Sequence, residues 1–365
     1  MFEGSLDEAT AYYGESPTPQ LILAETEDSG EDLLRKLDQL AENCDAGTHV
    51  LLVGSQNDIV QYRSLITSGV SDYLLRPLTI GAFIDSVERI FVDPNAPMMG
   101  KTIAVFGAEG GVGSSTIAHN IAWSIGNDLG EDVVIVDLDL CFGTAAFAYN
   151  QEVSQGIEDM LAAPERVDEQ LYRRFVLQHN EQIGILGSRS SLGNVADIDG
   201  DALEQVLSFV RQQAAFVVLD IPHMWSGWAQ QLLVDSDETV IIGTLDLAAL
   251  RDTKNIVEAV EARRGEDSKV RVVLNHAGAS KKTEVPVKEF EEAVGSKPVA
   301  VLPHDPTVFG EALNNGQMIG EASGKHKAVE VFGELAMLVT GRTGTALKKR
   351  KKSRGGLNLF SKEKA

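Results

Sequence analysis

Apolar residues are spaced in two ways along this chain. Short runs such as TIAVF (102–106), VVIVD (133–137) and FVVLD (216–220) are apolar nearly throughout instead of alternating, as in parallel strands covered on both faces. Between such runs, apolar positions return every three or four residues, the period of a helix packed along one side. From residue 100 onward, strands are expected near 102–106, 133–136, 182–186, 215–219, 239–243, 270–274 and 298–301, mostly with helices between them. That alternation predicts an α/β fold with a doubly wound, mostly parallel sheet. A shorter series precedes it: strand QLILA, helix DLLRKLDQLAEN, strand HVLLVG, a helix near 57–68, strand DYLL and a helix over 80–91. The two series are separated by DPNAPMMG (93–100), with two prolines and a glycine. The plan is therefore a flexible N-terminus (1–16), a small α/β unit (17–92), a linker (93–100), a large α/β unit (101–341) and a flexible basic tail (342–365).

Charge sharpens this picture. The 365 residues carry a net −22, but the stretch from Arg342 holds nine Lys or Arg against one Glu, leaving −30 on the body and +8 on the tail. So acidic a body repels a phosphate backbone, and no specific nucleic acid is expected as a partner. No run reaches the roughly 18–20 apolar residues of a membrane span, and the acidic start MFEGSLDEAT is unlike a secretory signal, so a cytoplasmic location is expected. Cys44 and Cys141, far apart and without metal-ligand spacing, read as core thiols.

The candidate chemistry lies where TIAVF runs into GAEGGVGSST (107–116) and then the helical pattern IAHNIAWSI. A glycine-rich turn between a strand and a helix N-terminus offers free backbone N–H groups and a positive dipole end to an anion. Gly107, Gly111 and Gly113 also match the GxxxGxG of short-chain dehydrogenases. That reading needs a catalytic YxxxK, and none of the six tyrosines has Lys four residues on.

The loop instead resembles the deviant P-loop of the ParA/MinD ATPases, GKGGxGK[ST]T. The resemblance implies a P-loop NTPase fold and assigns Gly110, Gly111, Val112, Gly113, Ser114, Ser115 and Thr116 to the phosphates of ATP, with Ser115 also holding Mg²⁺. Three positions depart from the pattern. Ala108 replaces a glycine, Glu109 the signature lysine, and Ser114 the lysine that holds the β/γ-phosphates. Within the same family, VDLDLCFGTAA (136–146) is similar to switch I and makes Asp137 the catalytic position beside the attacking water. FVVLDIPHMWSGW (216–228) is similar to Walker B with switch II, and makes Asp220 the second metal residue. Asn275 stands where the family reads adenine, with a loop-capping role as the alternative. His119, His223 and His304 read as helix or loop residues. ATP with Mg²⁺ is therefore expected to bind, and hydrolysis to be weak or absent. An active ParA/MinD-type ATPase for DNA segregation or division-site placement is the alternative.

GGVGSSTIAHNIAW, DLDLCFGTAAF, LDIPHMWSGW and PHDPTVFGEALNNGQM, in this order, together resemble the CpaE/TadZ pilus-assembly proteins. That resemblance implies a homodimeric localisation factor at the cell pole, with pilus secretion and assembly components as partners. GVSDYLLRPL (69–78) resembles the end of a receiver domain, truncated here, with Glu25 at the phosphoacceptor position and Arg76 in place of the usual lysine. The tail LKKRKKSRGGLNLFSKEKA, with six basic residues in 348–354, is compatible with weak inner-membrane contact.

Overall fold

The structure is a computed structural model that describes residues 6–91 (except 15, 29 and 46), 99–190, 192, 198–264, 270–280 and 282–342. Most of the expected linker and nearly all of the basic tail lie outside the described residues. The chain divides into two compact units, Met1–Pro97 and Met98–Ala365.

The smaller unit is a parallel sheet of three strands, β1 (Leu21–Glu25), β2 (His49–Gly54) and β3 (Asp72–Leu75), in the order β1-β2-β3. Leu33, Leu37 and Leu40, spaced at helical period on Gly30–Ala41, form its core with Leu52, Leu65 and Val70. One expectation needs correcting. The N-terminus, expected to be flexible over 1–16, contains a helix at Leu6–Tyr13 whose Leu6 joins this core. Eight residues are too few to be helical by propensity alone, so tertiary packing stabilises them, and Asn43 Nδ2 adds a hydrogen bond to the Thr10 carbonyl at 3.0 Å. Glu25 ends β1 and pairs with Arg76.

The larger unit is built on eight strands: β4 (Lys101–Gly107), β5 (Val133–Asp137), β6 (Leu177–Gln178), β7 (Ile183–Leu186), β8 (Phe216–Ile221), β9 (Glu238–Thr244), β10 (Arg271–Ala277) and β11 (Ala300–Pro303). Their order is β11-β10-β9-β4-β8-β5-β7-β6, parallel except for β6, which pairs antiparallel with β7. β6 was not expected, because two residues carry no periodic signal. Along β4, Ile103 and Val105 enter one core and Ala104 and Phe106 the other, so the unbroken apolar run is divided between two covered faces. β4 lies mid-sheet between β9 and β8, where the order reverses. Its carboxyl end therefore opens into the crevice where ligands bind in such folds.

Candidate functional site

The loop after β4 leaves the sheet with the Ala108 N–H still bonded to the Ile242 carbonyl at 2.8 Å. Gly111 and Gly113 then take φ of +84° each, a left-handed conformation that glycine adopts without a Cβ clash. Gly113 begins the helix Ser114–Ser124, whose N-terminus has no side-chain cap, so first-turn N–H groups face the loop unclaimed by a capping residue. Ser114, Ser115 and Thr116 stand half-buried on that turn. Space is tight at Gly113, where a Cβ would lie 2.6 Å from Asn275 Nδ2. Asn275 is buried at the end of β10 and donates from Nδ2 to the Val112 carbonyl at 2.8 Å, clamping the loop. Gly110 to Thr116 and Asn275 are thus brought together. The uncapped helix start and the left-handed glycines Gly111 and Gly113 fit a phosphate group.

The two aspartates lie alongside. Asp137 and Asp220 are register partners on β5 and β8, with 1% and 3% exposure. Asp137 accepts from the Asp139 N–H at 3.1 Å and, with its other oxygen, from the Ala145 N–H at 2.9 Å. Burial, with Asp220 beside it as the second cause, raises its carboxyl from an ordinary 3.8 to about 7. Asp220 Oδ2 meets His119 Nε2 at 3.2 Å, with both side chains buried, and the Tyr149 hydroxyl donates to the His119 carbonyl at 2.7 Å. His119 thus joins Asp220 to the helix that starts at the glycine-rich loop. At the loop itself, burial and then Asp246 and Asp252 push the Glu109 carboxyl up, against an opposite pull from Arg251 and His223. A ring nitrogen of His223 lies 2.9 Å from the Gly107 carbonyl oxygen.

Beside Gly113 and Asn275 lies a cavity of about 210 Å³, also lined by His276, His304, Asp305 and Phe309. His276, at φ +56°, and His304 meet edge to face with ring centres 5.3 Å apart. Burial, then His304, lowers the His276 pKa, favouring the neutral ring.

Residues 100–271 match the family described as an AAA domain (AAA_31). The larger unit has the mostly parallel α/β fold of MinD-like P-loop proteins. MinD complexed with Mg-ADP from Pyrococcus horikoshii is similar to it, with a TM-score of 0.58 and 21% identity over 66% of this chain and 96% of that one. An uncharacterized ATP-binding protein of Methanocaldococcus jannaschii is 23% identical over 70% of this chain and 94% of its own. A pilus assembly protein CpaE from Caulobacter crescentus is 45% identical over 24% of this chain and 72% of that one, at a TM-score of 0.24.

Two residues of this site were missed in the sequence, His119 as a partner of Asp220 and Tyr149 behind it. A signal for His119 was present: it sits in IAHNIAW, where the neighbouring residues are apolar enough to be buried, and a buried imidazole needs a polar partner. Among the described residues, no helix is long and apolar enough to cross a membrane, and no cluster of three or more His, Cys, Asp or Glu could hold a metal.

Proposed function

We propose that the chain is a nucleotide-binding scaffold with weak or no hydrolysis, which positions assembly components of a Flp or tight-adherence type IV pilus. The observation that carries this reading is the loop itself. It keeps the left-handed glycines and uncapped helix start of a phosphate cradle, while Glu109 and Ser114 stand where the deviant P-loop has lysines. Phosphoryl transfer depends on positive groups placed at developing charge, and removing one such donor typically costs about 2.7–4 kcal/mol of transition-state stabilisation. With both cations gone and an acid at one position, binding outlives catalysis.

The base would enter the cavity beside Asn275 and the His276–His304 pair, with the phosphates on the N–H groups of 110–116. The pilus assignment draws on the four sequence blocks that resemble CpaE/TadZ proteins. A homodimer, polar placement and peripheral contact with the inner membrane belong to the same proposal.

Purified protein should bind ADP and ATP in calorimetry and release phosphate no faster than background. Turnover at the rate of a relative with both lysines would overturn the scaffold reading. In a deletion strain, a tagged copy should form polar foci and restore piliation. Diffuse signal with normal piliation in its absence would remove the pilus role.

A further inference from the structure

Asp137 and Asp220 sit side by side under a loop that has lost both lysines, and a bare pair of buried carboxylates would be costly. The chain answers one of them internally. His119 Nε2 lies 3.2 Å from Asp220 Oδ2 and the imidazole is 2% exposed, so bulk water cannot take its place. Its backbone is fixed as well. The Tyr149 hydroxyl holds the His119 carbonyl at 2.7 Å, and the Tyr149 ring packs against the imidazole with centroids 6.3 Å apart. Asp137, meanwhile, has both oxygens committed to backbone N–H groups.

We propose that His119 is the built-in counter-group of Asp220, standing where the ParA/MinD fold would use a hydrated magnesium ion, so that the phosphate loop works without metal. Magnesium demands oxygen ligands in near-octahedral array and dehydrates reluctantly. Here the two carboxylates do not offer such an array. One Asp220 oxygen faces an imidazole nitrogen, and both Asp137 oxygens already accept hydrogen bonds. Asp220 therefore ties β8 to the phosphate-loop helix, and His119 is a positioning residue in that tie. The counter-group role stands apart from the nucleotide reading, whereas its consequence for metal rests on that reading.

Two experiments on the full chain decide it. The first is a double-mutant cycle on unfolding, read through tryptophan fluorescence. His119→Val should lower the folded-to-unfolded ratio by roughly 100-fold, because it leaves the buried Asp220 carboxyl without its partner, and Asp220→Asn should recover most of that loss in the double variant. Additive effects would refute the counter-group. Should His119→Val fail to fold, His119→Gln, which keeps a donor, is compared with Asp220→Asn in the same way.

The second measures ADP affinity in Mg²⁺ and in EDTA. Wild-type affinity should be the same within about twofold, whereas His119→Val, with Asp220 released, should bind ADP more tightly in Mg²⁺ than in EDTA. A role confined to packing would not create that difference. Wild-type binding that collapses in EDTA would overturn the metal-free reading. No ADP binding in either condition would remove the nucleotide reading together with that consequence, and the cycle would then decide the His119–Asp220 pair on its own.

Discussion

Three glycines in one loop separate backbone conformation from crowding. At Gly110, an added Cβ meets nothing within 4 Å and φ is not left-handed, so Gly110→Ala should stay within about 0.5 kcal/mol of wild type. At Gly111 the added Cβ is equally unobstructed but φ is +84°, so Gly111→Ala should lose about 1–2 kcal/mol from conformation alone. Gly113 combines φ of +84° with a Cβ position 2.6 Å from Asn275 Nδ2. Asn275 must then move and its 2.8 Å bond to Val112 must break, which adds about 1 kcal/mol for a total of about 2–3 kcal/mol. All three tryptophans, Trp123, Trp225 and Trp228, lie in the larger unit, so urea unfolding followed by their fluorescence reads that unit without contribution from the smaller one. If Gly111→Ala behaves like Gly110→Ala, the loop lacks the left-handed turn. If Gly113→Ala behaves like Gly111→Ala, Asn275 is not clamped against it.

Asp137 gives the larger unit a pH-dependent stability. Its folded carboxyl is raised from 3.8 to about 7, so between these values the folded state keeps a proton that the unfolded state gives up, and stability falls as pH rises across that window. Asp137→Asn, which loses one backbone acceptor, should therefore be less stable than wild type near about pH 5 and close the gap by about pH 8; parallel curves would contradict this. Restoring both cations, as Glu109→Lys with Ser114→Lys, should raise ATP turnover by at least about 100-fold, measured as phosphate release, and an unchanged rate would show that the lost charges do not limit it. Acetyl phosphate should leave no stable adduct in intact-mass measurement, since Glu25 ends its strand paired with Arg76, and a phosphorylated species would reverse that reading.

The sequence disclosed what local pattern can carry. β2 and β3 lie where their apolar runs predicted them, and each strand expected after residue 100 is found within about three residues of its predicted bounds. The glycine spacing likewise announced the left-handed turn after β4. What escaped was set by distant partners. His119 and Asp220 are 101 residues apart and Asn275 and Val112 are 163 apart, so no window along the chain holds both members of either pair. The helix Leu6–Tyr13 escaped for the same reason, since its buried Leu6 is paired with the core around Leu33 and not with a local period.

Loss of the two lysines and retention of the two aspartates follow from different physics. A lysine at the loop mouth acts on a ligand and can be lost without opening a hole in the protein. Asp137 and Asp220 are enclosed by β5 and β8, and their oxygens satisfy the N–H groups of Asp139 and Ala145 and the ring of His119. Removing either aspartate would strand a buried donor, at a cost of about 1–3 kcal/mol. A domain that hydrolyses ATP ties its stability to the ligand that neutralises its site, by an amount that grows with ligand concentration over Kd. Here the partner of Asp220 is covalently present as His119. The folded state therefore leans little on bound nucleotide, as the proposed scaffold role requires.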